Sequence, residues 1–229
     1  PRTDVMQLTA LYAAVRSDLF HTETALELDM PTTEGLAALL TAGLATAHGL
    51  EELKLSGFYE LSDLDFLMGL RNLKKLNLFL GGSLTDVDGL AGLTELEELD
   101  LGSQEALEDI SGLAGLTKLR VLDLRDCPGI TDTSALGGLS GLRKLILMRC
   151  VGITDVSSLG SLTQLTKLDL RGCDGLPEEL CRWHHGDGLA LILERLLHGA
   201  GDVKDGPSRT QRSPSPRGGG VSGGAGASV

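Results

Sequence analysis

Leucine recurs in this chain at a fixed interval of 23 residues. Leu50, Leu73, Leu96, Leu119, Leu142 and Leu165 head six segments. With each heading leucine as position 1, position 4 is Leu53, Leu76, Leu99, Leu122, Leu145 and Leu168. Position 6 is Leu55, Leu78, Leu101, Leu124, Leu147 and Leu170. Position 12 is Leu61, Leu84, Leu107, Ile130, Ile153 and Leu176, after which the pattern stops. Leu67, Leu90, Leu113, Leu136 and Leu159 fall at position 18, and Leu70, Leu93, Leu116, Leu139 and Leu162 at position 21. A repeat this strict excludes one irregular core. Each unit carries the same apolar face and is too short to bury it alone, so the units must stack and the two ends must be capped. The low aromatic content, 3% of residues, fits a core filled by one side-chain type.

The spacing inside a unit predicts its shape. Leucines at positions 4 and 6 alternate with polar residues, the period of a strand with one buried face. Leucines at positions 18 and 21 are three apart, which fits a tight helical turn. Each unit therefore reads as strand, loop, helical turn and return, with strands of successive units in parallel about 4.8 Å apart. The expected fold is an α/β solenoid.

The run Leu119-Arg-Val-Leu-Asp-Leu-Arg-Asp-Cys127, followed by Gly129-Ile130-Thr131-Asp132 and again by Gly152-Ile153-Thr154-Asp155, resembles the leucine-rich repeat. The second half of the unit is similar to a short class found in phosphatase regulators and internalin-like proteins. The cysteine resembles the class of F-box adaptors and trypanosomatid repeat proteins. The resemblance spans roughly residues 26–180. It implies parallel strands on a concave face, short helical or 3-10 turns on the convex face, and helical caps. It implies little about function, because the fold serves many unrelated partners.

Two polar columns invite a chemical reading. Position 9 is Phe58, Gly81, Gln104, Cys127, Cys150 and Cys173. In the family this place turns the chain out of the strand, and its side chain satisfies loop backbone groups. A single-file ladder of thiols does not surround one ion as a zinc site requires, so the expectation is reduced, buried cysteines. Position 14 is Asp63, Asp86, Asp109, Asp132 and Asp155. Calcium needs several oxygens around one point, and the Gly-Asp pattern of calcium-binding β-rolls is lacking. Capping of the following turn is the favoured reading. Small residues at positions 19 and 20, such as Ala91-Gly92 and Gly137-Gly138, are expected to let adjacent turns approach closely.

The expected partner site lies on the concave face, among strand side chains that point away from the core. Phe79, Val121, Ile146 and Met148 are apolar where polar residues are expected. Val121, Ile146 and Met148 sit in neighbouring repeats. Arg125, Lys144, Arg149, Lys167 and Arg171 would surround them, giving an apolar centre with a charged rim. The function expected is a protein-protein interaction scaffold with no catalysis and no cofactor or metal. The alternative is a regulatory subunit or substrate adaptor of a phosphatase or ubiquitin ligase, although no F-box pattern precedes the repeats.

A formal charge of −12 argues against general affinity for nucleic acid or anionic membrane. No apolar run is long enough to span a bilayer. Reduced cysteines lean toward an intracellular, cytoplasmic protein, expected as a monomeric stack. The chain opens on Pro1 without a signal pattern, so its start is expected to be processed or truncated.

The ends depart from the repeat. Residues 1–24 are expected to form a helical cap, and 25–49 an irregular, longer first repeat. Six leucine-rich repeats, the last incomplete, fill 50–180, followed by a second cap over 181–199. Within that cap, Cys181-Arg182-Trp183-His184-His185-Gly186-Asp187 reads as a loop covering the last core layer rather than as a metal or nucleophile site. Residues 200–229, rich in Gly, Ser, Pro and Arg, are expected to be a disordered linker. Ser213-Pro214 and Ser215-Pro216 would suit proline-directed kinases.

Overall fold

The computed structural model describes residues 25–28 and 49–181. They form one parallel sheet of seven strands in sequential order. The strands are β1 (Ala25–Leu28), β2 (Glu52–Leu55), β3 (Lys75–Asn77), β4 (Glu98–Asp100), β5 (Val121–Asp123), β6 (Lys144–Ile146) and β7 (Lys167–Asp169). From β2 onward the register follows the repeat: Leu53 lies beside Leu76, Leu76 beside Leu99, and so on to Leu168. Between β1 and β2 the offset is longer, with Leu26 beside Leu53. The expected cap helices and the Cys-Trp-His-His loop fall outside the described residues, apart from one helical turn at Glu178–Cys181.

The returns are 3-10 turns: Asp65–Leu67, Asp88–Leu90, Ser111–Leu113, Ser134–Gly138 and Ser157–Ser161. All the leucine columns are buried in a single core. The core includes a column that the leucine spacing does not reveal, position 15: Leu64, Val87, Ile110, Thr133 and Val156. Thr133 is the polar member. Its hydroxyl is satisfied by the Asp155 carbonyl at 3.0 Å and the Ser158 hydroxyl at 2.9 Å.

In the second and third repeats the close approach of turns falls at position 17 rather than at the small residues of positions 19 and 20. A Cβ on Gly89 or Gly112, both at position 17, would collide with the backbone of Leu64 or Val87 in the preceding repeat. Gly92 and Gly115, at position 20, face open space. In the longer turns of the fourth and fifth repeats positions 19 and 20 do come close. A Cβ on Gly138 would lie 2.9 Å from the Ala114 carbonyl and one on Gly137 3.1 Å from the Ser158 carbonyl, and the Ser161 hydroxyl donates to the Gly137 carbonyl at 2.8 Å.

Candidate functional site

The aspartates of position 14 all do the same work. Each carboxylate accepts the N–H two residues on, which is the first N–H of the 3-10 turn. The distances are 3.4 Å from Asp65 to Asp63, 3.3 Å from Asp88 to Asp86, and 2.8 Å from Ser111, Ser134 and Ser157 to Asp109, Asp132 and Asp155. The capping aspartate sits two residues before the first residue of the turn, one before its N-cap, so it closes an Asx turn. Accepting the backbone N–H and the hydroxyl of Ser111 holds the Asp109 carboxyl below the ordinary range, and Ser134 does the same for Asp132.

The position 9 side chains satisfy backbone groups across repeats. Cys127, Cys150 and Cys173 donate to the carbonyls of Leu101, Leu124 and Leu147 at 3.2, 3.0 and 2.9 Å. Gln104 Nε2 reaches the Leu78 carbonyl in the same way. Each acceptor is the position 6 carbonyl of the preceding repeat. Burial pushes the Cys127 thiol up to about 12 and raises that of Cys150 as well. Thiols so disfavoured as thiolates are poor nucleophiles near neutral pH. Among the described residues, no three His, Cys, Asp or Glu side chains are grouped to hold a metal ion.

A second Asx ladder runs along the exposed face of the sheet, and sequence reasoning missed it. Asn77, Asp100, Asp123 and Asp169, all at position 5, accept the N–H of Phe79, Gly102, Arg125 and Arg171 at 3.0, 3.0, 3.0 and 3.2 Å. The recurrence of Asn or Asp at one place was the available signal. Position 8 then takes a left-handed backbone in every repeat. Gly57 and Gly172 do so with φ of 79° and 74°, and Leu80, Ser103, Asp126 and Arg149 with φ of 63°, 60°, 55° and 60°.

These ladders place the expected partner residues. Phe79, Arg125, Met148 and Arg171 occupy position 7 of their repeats. Phe79 and Arg125 both lean over Gly102, whose missing side chain leaves them room: a Cβ there would lie 3.0 Å from Phe79 Cδ2 and 3.1 Å from Arg125 Cγ. Parallel register sets Val121 beside Lys144, and Ile146 between Asp123 and Asp169. Phe79, Val121, Ile146 and Met148 are all half-buried.

The expected rim cations are not equivalent. Arg125 forks onto Asp123, its own repeat's position 5, through Nε and Nη2. Arg171 does the same with Asp169, at 2.6 Å for the shorter ion pair. Arg149 is exposed and meets Asp126 at 3.4 Å. Lys144 and Lys167 have no ion-pair partner among the described residues. Over β2 to β6 the face holds a depression of about 290 Å³, lined by Val121, Arg125 and Lys144 together with Lys75, Asn77 and Asp100. Exposed apolar side chains also occur where they were not expected, at Tyr59, Met68, Leu80 and Val151.

Stacked 23-residue units, a continuous parallel sheet, 3-10 returns and a thiol ladder at the strand exits agree with one another and with solved structures. Internalin C2 from Listeria monocytogenes is similar over 71% of this chain and 83% of its own, with 27% identity and a TM-score of 0.54. The chain folds as a leucine-rich repeat solenoid. The leucine-rich repeat domain of the type III effector XopL is similar at 31% identity and a TM-score of 0.52, over 59% of this chain and 50% of its own. The functional domain of InlJ from L. monocytogenes, which includes a cysteine ladder, is similar at 25% identity and a TM-score of 0.51. This chain covers 28% of that one. No protein-family profile and no curated protein sequence matches this leucine-rich repeat chain. Among its described residues, no helix is long and apolar enough to cross a membrane.

Proposed function

We propose that this leucine-rich repeat chain is a protein-interaction scaffold that seats a protein partner on the exposed face of its sheet, without catalysis. One contrast carries the reading. The buried positions 1, 4 and 6 are leucine in every repeat, whereas the outward positions 3, 5 and 7 change charge, size and polarity from strand to strand. A face whose only task is solvation needs no apolar side chains, yet this one holds Phe79, Val121, Ile146 and Met148 among charges. Apolar centres with charged surroundings are the ordinary anatomy of protein interfaces. The narrower role as a phosphatase subunit or ubiquitin-ligase adaptor draws no support from the similar structures.

The test uses the full chain immobilised against lysate from its source. Captured proteins are identified, purified and re-measured against Ile146→Ala combined with Met148→Ala. The expected outcome is weakened binding with thermal unfolding nearly unchanged. A purified partner that binds the double variant as tightly as the parent would refute the sheet-face assignment.

A further inference from the structure

The exposed sheet face is electrostatically divided. At positions 3, 5 and 7 the C-terminal half, β5 to β7, carries four cations (Arg125, Lys144, Lys167, Arg171) and two anions (Asp123, Asp169). The same positions of β2 to β4 carry two cations (Lys54, Lys75) and three anions (Glu52, Glu98, Asp100). On a chain of net charge −12, the C-terminal half is a cationic island. Its two anions are already engaged by Arg125 and Arg171. The charge left over belongs to Lys144 and Lys167, which lie side by side in register.

The Asx ladder breaks at the same place. In four other repeats the position 5 side chain accepts the position 7 N–H, and in the first repeat, where position 5 is Lys54, it does not. Here position 5 is Ile146, which has no acceptor. The Met148 carbonyl takes the Asp126 N–H, but the Met148 N–H has no acceptor among the described residues. By equivalence with its neighbours, this N–H is directed to the outward side of the sheet beside Ile146. Ile146 thus sets a half-buried apolar side chain beside a main-chain donor that has no acceptor among the described residues.

We propose, resting on the scaffold reading above, that this island holds an extended acidic segment of the partner protein. An apolar side chain of the segment packs on Ile146 and Met148, a segment carbonyl accepts the Met148 N–H, and flanking carboxylates meet Lys144 and Lys167. Charge complementarity selects this occupant. The chain's own residues 200–229 hold four cations and two anions, so they carry the wrong sign. A nucleic acid would meet the cations but would gain little from an apolar pair, and the surrounding net charge repels it.

The experiment is a random-peptide display selection against the full chain, with winning peptides synthesised and measured by fluorescence polarisation. The expected winners are acidic with a central apolar residue. Their affinity should fall at least about tenfold, a loss of one well-placed charge pair or anchor, in K144E/K167E and separately in Ile146→Asn. Ile146→Asn restores the ladder acceptor, so its melting temperature should hold or rise, which separates lost binding from lost folding. Neutral or basic winners, or winners indifferent to both variants, overturn the proposal. If those winners instead depend on Lys75→Glu or Phe79→Ala, the scaffold reading stands and only the cationic island falls. Winners indifferent to every sheet-face variant, or no winners at all, overturn both. Displacement of winners by a single-stranded oligonucleotide at equal concentration would assign the island to nucleic acid and also overturn it.

Discussion

The side-chain amide of Gln104 fills the space that a side chain on Gly81 would need. A Cβ on Gly81 would lie 2.8 Å from Gln104 Cδ and nearer still to the amide oxygen. Both residues occupy position 9, in the second and third repeats. Gln104 is fully buried, and its Nε2 donates to the Leu78 carbonyl at 2.5 Å. Its Oε1 has no hydrogen-bond partner among the described residues. The next three repeats solve the same problem with cysteine, whose shorter side chain reaches the equivalent carbonyl without intruding on its neighbour.

Gly81→Ala should therefore lower stability by about 1–3 kcal/mol, the usual range for overpacking. In the background of Gln104→Cys the same change should cost little, because the thiol leaves the space open and still reaches Leu78. Urea unfolding of both single variants and the double variant checks this. A coupling energy indistinguishable from zero would show that the two side chains do not compete.

Leu80 holds a left-handed backbone, φ 63°, with its side chain 39% exposed. A β-carbon in that conformation costs roughly 1–2 kcal/mol, and glycine avoids it at some entropic cost in the unfolded chain. Gly57 and Gly172 already use glycine at this place. Leu80→Gly is expected to raise the unfolding free energy by a net of several tenths of a kcal/mol up to about 1 kcal/mol, read as a higher urea midpoint with an unchanged slope. A lower midpoint would mean that the Leu80 side chain contributes packing that outweighs the strain.

Two aspartates should respond to pH in opposite senses. Burial, with Asp123 adding repulsion, raises the Asp100 carboxyl above its ordinary value despite the Gly102 N–H. Its ionisation therefore opposes folding, and stability from this group falls as pH rises through the window above about 4. Asp109 is lowered by its bonds to Ser111, so its contribution is present above about pH 4 and is lost as pH falls through the folded value. Asparagine keeps the acceptor in both cases and removes only the charge. Asp100→Asn should raise the melting temperature at pH about 7 and lose that advantage near pH 3. Asp109→Asn should lower it at neutral pH, with the difference fading in acid. Melting curves of the three proteins across that range decide it, and parallel curves would refute both assignments.

Reading the fold from sequence succeeded where a physical requirement maps onto residue type. A buried strand face demands leucine in every repeat, so the columns were plain. The cysteines and position 14 aspartates were also readable, because hydrogen bonding to a fixed backbone group selects few side chains. The left-handed place was hidden because Gly, Leu, Ser, Asp, Arg and Gly share no chemistry, only a backbone angle. The sheet-face ladder was hidden for the opposite reason. By residue type alone Asp123 and Asp169 do not differ from solvated surface charges, yet they tie down both a backbone N–H and an arginine. Two of the expected rim cations are thus committed within their own repeats, while Lys144 and Lys167 are not. No rule of spacing distinguishes the two kinds.

The register between β2 and β7 has one further consequence, for how such a chain can change length. Every strand pairing there joins residues 23 apart, so inserting or deleting a whole unit recreates the same pairings. Removing residues 119–141 would bring Cys150 to the carbonyl that Cys127 now serves. The joint between the second and third repeats does not share this freedom. Removing residues 73–95 would drive Gln104 against Phe58, the bulkiest occupant of position 9. Growth or shortening by duplication is therefore open through the cysteine-bearing repeats, whereas at the Gly81–Gln104 joint the second repeat cannot be lost while the third is kept.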